Sequence, residues 1–190
     1  LSWTPTFQPL VPPSDDVSQV VAVDGSHAVL ADNGAVWVVA HRANALRWPG
    51  PVRPVEPTVT AATPDDAARI VGRPVASAEA FGAALRERAE ARALRDAIAD
   101  ARPGTLVLVD GALVGLPPEP QGEMDAARHL AAQRGVALVG VSKRSGLDRD
   151  GVARVPALHA CGPAGAWAVA ISQGVWVARL HAAAQCAFRV

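Results

Sequence analysis

The first three apolar runs of this chain lie too close together to be joined by helices. Val20-Val21-Ala22-Val23, His27 to Leu30 and Ala35 to Ala40 follow one another with only short polar steps between them. Parallel strands need a crossover of about a dozen residues or more, so the opening strands must run antiparallel. Asn33-Gly34 suits a tight primed turn and marks the second and third runs as a β-hairpin. This spacing disfavours an all-parallel nucleotide-binding sheet before any other residue is weighed.

The rest of the chain alternates helix and strand. Pro5, Pro9, Pro12 and Pro13 make residues 1–16 an irregular or extended arm. From Trp48 to Pro64 five prolines indicate a long connection. Thr63 or Asp65 caps a short helix through Ile70, and Ser77 with Glu79 opens the longest helix, which ends near Ala101. A strand follows from Leu106 to Asp110. Glu123 to Arg134 reads as a helix stopped by Gly135, Val136 to Ser142 as a buried strand, and Ala166 to Leu180 as a second hairpin. The sum is a mixed α/β sheet with flanking helices, in one domain over residues 17–190.

Two Asp-Gly steps stand directly after apolar runs, at Asp24-Gly25-Ser26 and Asp110-Gly111-Ala112. Each alone reads equally as a strand-ending turn, because Gly favours positive φ and Asp tolerates it. Together they offer two carboxylates at the ends of strands, where α/β proteins keep their ligands and where acids can share a divalent cation. In the long helix Ala91, Leu94 and Ile98 share a face at roughly 100° per residue, with Glu87 inside that stripe and Glu90 at its edge. An acid facing the sheet needs a compensating partner, and a metal held with Asp24 and Asp110 supplies one. Lys143 follows an apolar strand and can hold a phosphate, while His181 ends another strand and can ligate metal or manage a proton.

Several classes are set aside. The sequence holds no P-loop, no Rossmann glycine pattern, no His-Glu-x-x-His and no Gly-x-Ser-x-Gly. Eighteen basic and eighteen acidic side chains cancel, so a nucleic-acid partner must be met by a local basic patch or through another protein. Cys161 and Cys186 have neither zinc spacing nor a disulfide framework, which fits a reduced cytoplasmic setting. No apolar stretch approaches the roughly 18 residues of a membrane span. The missing initial Met and the stop after Phe188-Arg189-Val190, in mid-strand pattern, are compatible with a fragment.

The series Val20 to Ser26, Leu106 to Leu113, Leu138 to Ser145 and Val175 to His181 with Phe188-Arg189-Val190 resembles the NurA nuclease family in order and spacing. That resemblance implies an RNase H-like core and a Mn²⁺-dependent deoxyribonuclease, with Mg²⁺ as the alternative ion. It implies cleavage of single strands and 5′→3′ resection of duplex ends in homologous-recombination repair. The partners it implies are DNA, a hexameric HerA-type translocase and a second copy of the chain. By position Asp24 and Asp110 match the family's metal-binding acids, Glu90 its helical acid, and Lys143 and His181 its later basic and histidine positions. His181 is expected to complete the metal shell. The family spacing selects Glu90 where periodicity favours Glu87. The chain departs from the family in its shorter length, in Ala112 where Ser is usual, and in Trp176 where Tyr is common. Two other readings stand beside it: a non-catalytic RNase H-like adaptor for dimerisation and docking, and an actin-like ATP-binding domain.

Overall fold

The computed structural model describes residues 5–10, 19–52, 54–111, 123–142, 148–149, 152–172, 175–180, 183–184 and 187–189. It is a mixed α/β protein with strands β1 (Gln8–Pro9), β2 (Val20–Asp32), β3 (Trp37–Trp48), β4 (Thr58–Ala62), β5 (Leu106–Asp110), β6 (Ala137–Val141), β7 (Asp148–Arg149), β8 (Val152–Ala153), β9 (Trp167–Ser172), β10 (Val175–Arg179) and β11 (Phe188–Arg189). The helices are α1 (Pro64–Val71), α2 (Ala78–Asp100), α3 (Glu123–Arg134) and α4 (Arg154–Cys161). One sheet has the order β4-β3-β2-β5-β6, a second β1-β9-β10-β11, and β7 pairs with β8. The chain divides into two compact units, one of residues 17–108 and 117–138, the other of 1–16, 109–116 and 139–190.

In the first of these units, β2 and β3 form one long antiparallel hairpin. Its turn is closed by side chains: Asp32 Oδ1 accepts from the Gly34 N–H at 2.9 Å, and Asn33 Oδ1 from those of Ala35 and Val36 at 3.0 and 2.8 Å. Gly34 has φ 79°, which its lack of a Cβ makes easy. The ladder shifts register between Val29 and Ala31. Two sequence expectations are corrected here. The strand does not stop at Asp24 but continues unbroken to Asp32, because Asp24 and Gly25 both stay in the ladder opposite Asn44 and Ala43. The proline-rich connection also contains a strand, since the β-branched run at Thr58 pairs with β3 once Pro57 is passed.

Both helices after the hairpin are capped as their sequences suggest. Thr63 Oγ1 accepts from the Asp66 N–H and Ser77 Oγ from the Ala80 N–H, each at 3.2 Å. Arg88 on α2 donates to the carbonyls of Ile70 and Val71, meeting the orphan acceptors at the end of α1. The helix α2 packs across β2 and β3. Its first half buries Phe81, Ala84 and Leu85 in a core with Trp37, Val39, Ala62, Ala67 and Val71. Its second half buries Ala91, Leu94, Ala97 and Ile98. The buried stripe thus turns around the helix between its halves, which a single periodic face does not anticipate. From β5 the chain crosses through α3 to β6, and the bonds Ala137 N–H to Thr105 O and Gly111 N–H to Val141 O show β5 and β6 running the same way.

The other unit is built on Trp167, 1 % exposed, with Val155, Leu158, Val169, Val177 and Ala187 around it. Phe7 meets the Trp167 ring edge-on at 4.9 Å, so the arm is tied down there: Gln8 and Pro9 pair with Ala168 and Trp167. The hairpin of β9 and β10 matches the sequence reading, whereas α4 had no counterpart in it. Pro156 stands in the first turn of α4, where a missing N–H costs nothing. Among the described residues, no helix is long and apolar enough to cross a membrane.

A candidate carboxylate site

A glycine lets Glu90 of α2 reach the β2 backbone next to Asp24. Along β2 the residues Val21 and Val23 are buried under α2 and Asp24 is exposed, so strand alternation puts Gly25 on the helix side and Asp24 on the other. A Cβ on Gly25 would lie 2.6 Å from Glu90 Oε1, 2.7 Å from Glu90 Cγ and 3.0 Å from the Arg42 carbonyl oxygen. Only glycine leaves room for the Glu90 carboxylate to reach the strand backbone. The Gly25 N–H donates to Asp24 Oδ1 at 2.9 Å, and the Gly25 backbone also favours the charged form of the nearby Glu90 carboxyl. Two acids from different elements therefore approach the same stretch of strand, Glu90 from the helix side and Asp24 from the other.

That convergence has an electrostatic cost. Burial holds the Glu90 carboxyl above the ordinary carboxylate range; Arg86 opposes the shift, Asp24 adds to it, the Gly25 bond opposes it and Glu87 adds a little. Arg86 Nε lies 3.8 Å from Glu90 Oε1, one helical turn away, too far for a good hydrogen bond. Glu87 is placed differently from the periodic expectation. It is exposed and pairs with Arg73 at 3.2 Å, because the buried stripe of α2 has rotated away from it at that turn.

Asp110 ends β5 and is exposed, and Gly111 behind it has φ 115°, a left-handed conformation that a side chain resists. Asp110 belongs to the unit of residues 109–116, whereas Asp24 and Glu90 lie in the unit of 17–108. Lys143 and His181 fall outside the described residues. Among the described residues, no group of three or more His, Cys, Asp or Glu side chains is arranged to hold a metal ion.

Residues beside Asp24 went unnoticed in the sequence. Asn44 stands opposite Asp24, and Arg42 opposite Ser26, with Arg42 Nε donating to Ser26 Oγ at 3.2 Å. Counting outward from the Asn33-Gly34 turn would have missed both pairs, because the ladder shifts register between Val29 and Ala31. His27 also has a defined place, its Nε2 2.8 Å from Glu79 Oε1 and its ring against Gly82, where a Cβ would come within 2.6 Å.

Two expected outcomes follow from this geometry. Gly25→Ala should push the Glu90 carboxylate off the strand and cost about 1–3 kcal/mol, read as a lower urea midpoint with an unchanged slope. The second concerns pH. The unfolded chain releases the Glu90 proton near 4.5 and the folded protein only above that value, so ionising Glu90 opposes folding. Stability should fall as pH rises from the unfolded value through the folded one and then level off. Glu90→Gln should flatten that fall, and parallel urea-midpoint profiles for parent and variant would refute the placement.

Comparison with models of known protein families and with curated proteins gives no match to this chain.

Proposed function

We propose that this chain is a metal-dependent deoxyribonuclease with an RNase H-like core, similar to the NurA nucleases. The observation that carries the reading is the meeting of Glu90 with Asp24 at the bare backbone of Gly25. A half-buried carboxylate kept near a second one, against its own ionisation, is a common mark of functional sites. The fold lends support through its opening antiparallel strands, the helix-linked strands β5 and β6, and Asp110 at the end of β5.

The donors fit a hard divalent cation. Asp24 and Glu90 offer carboxylate oxygens, and a cation near them would offset the burial and the Asp24 charge that raise Glu90. On this reading Asp24, Glu90, Asp110 and His181 hold Mn²⁺, with Mg²⁺ as the alternative. The chemistry supplied by bound ions is a lowered pKa for an attacking water and stabilisation of the leaving oxygen. Asp24 Oδ1 would be held by the Gly25 N–H and Glu90 by the packing of α2 against Gly25. Lys143 is assigned to the scissile phosphate and His181 to a proton, both from sequence. The physiological role is single-strand cleavage and 5′→3′ resection of broken DNA ends in homologous recombination, as a homodimer working with a HerA-type translocase in the cytoplasm.

The test is cleavage of an end-labelled single-stranded oligonucleotide with Mn²⁺ and with chelator. The expected result is cleavage in Mn²⁺ alone. No cleavage, with oligonucleotide binding kept, would favour the adaptor reading; calorimetric binding of ATP with Mg²⁺ would favour the actin-like one.

A further inference from the structure

We propose that Arg42 is a DNA phosphate-binding residue, held ready beside Asp24 by the hydroxyl of Ser26. This rests on the nuclease reading and names a contact within it. The register of the hairpin puts Asp24, Ser26, Arg42 and Asn44 on one face of β2 and β3, the face opposite α2. Asp24 and Ser26 are two residues apart on one strand, roughly 7 Å, so Arg42 across from Ser26 is a diagonal neighbour of Asp24. Asp24, Ser26 and Arg42 are all exposed.

Arg42 shares with Arg92, Arg95 and Arg102 of this unit the lack of an ion pair among the described residues, but of these it is the one held beside Asp24. Arg47, Arg69, Arg73, Arg86 and Arg128 each have an acidic partner, and Arg88 is taken up by the carbonyls of α1. Among the described residues Arg42 forms no ion pair and bonds through Nε to the neutral Ser26 Oγ. That bond orients the guanidinium and leaves its charge uncancelled. A guanidinium with two terminal nitrogens is suited to two oxygens of one phosphate. The chain as a whole is neutral, so binding a polyanion must rely on such local cations. A strand whose scissile phosphate lies at Asp24 would present a neighbouring phosphate to Arg42.

The experiment is fluorescence anisotropy of a labelled oligothymidylate with the full chain in chelator, over a range of salt concentrations. Arg42→Ala should weaken binding about tenfold and make the slope of log affinity against log salt shallower by about 0.7, one phosphate contact to a single strand. Arg42→Lys keeps the charge, so it should restore the slope while recovering only part of the affinity. Ser26→Ala should weaken binding by less than Arg42→Ala with the slope retained. Binding by Arg42→Ala within twofold of the parent, with the same slope, would overturn the proposal, as would failure of the parent to bind. Because no metal is present, the outcome is separate from the cleavage test. A parent that cleaves in Mn²⁺ with Arg42→Ala binding normally removes Arg42 alone. A parent that does not cleave, with Arg42→Ala binding poorly, removes the nuclease reading and leaves the phosphate contact.

Discussion

Asp24→Ala is expected to lower Mn²⁺-dependent cleavage of single-stranded DNA about 10³-fold or more while the protein stays folded. The side chain is exposed, and its bond with the Gly25 N–H spans only one residue, so its removal takes little from the packing of β2. Its charge adds to the rise that burial gives the Glu90 carboxyl. The variant should therefore ionise Glu90 more readily and lose less stability as the pH rises past the ordinary carboxylate range. Activity and stability move in opposite directions, a pairing characteristic of acids kept together for function. An acid serving only a turn would leave the activity unchanged. A variant that cleaves as fast as its parent would end the carboxylate-site reading.

Phe81→Ala should cost about 3–5 kcal/mol, the largest stability loss expected from a single truncation in its unit. Phe81 is 0 % exposed and lies in the core shared by α2, β3, β4 and α1, with its ring 6.3 Å from that of Trp37. Collapse into the cavity is hindered because the next residue, Gly82, is already in close contact with His27 and Val39. Domains of this size are stable by about 5–15 kcal/mol, so the variant would retain a small margin. Urea unfolding followed by circular dichroism measures the change. A loss below about 1 kcal/mol would mean that α2 does not rest on the hairpin in this way.

How far the sequence anticipates the molecule depends on what each residue was asked to show. Ser77 as a cap, Gly135 as a stop and Asn33-Gly34 as a turn are signals carried by neighbouring backbone groups, and the structure has each where it was read. The helix Glu123–Arg134 has the bounds expected of it. Long-range pairing leaves weaker traces. The strands β1 and β4 sit among prolines, and a two-residue or five-residue pairing there is decided by its partner strand. Periodicity favours Glu87 over Glu90, yet Glu87 is the exposed one, because α2 changes its buried face along its length. The two Asp-Gly steps look alike in sequence and differ in three dimensions. Gly111 is needed for its φ, whereas Gly25 is extended and needed for the absence of a side chain.

Gly25 on the strand and Gly82 on the helix are notches of opposite sense. Glu90 of the helix enters the first and His27 of the strand lies in the second. Together they act as a detent: a shift of α2 along the hairpin would drive backbone atoms into both seated side chains at once. Sliding of α2 along the hairpin is thereby opposed at two points, while the Glu90 side chain itself remains the part nearest Asp24 that can turn without moving the helix.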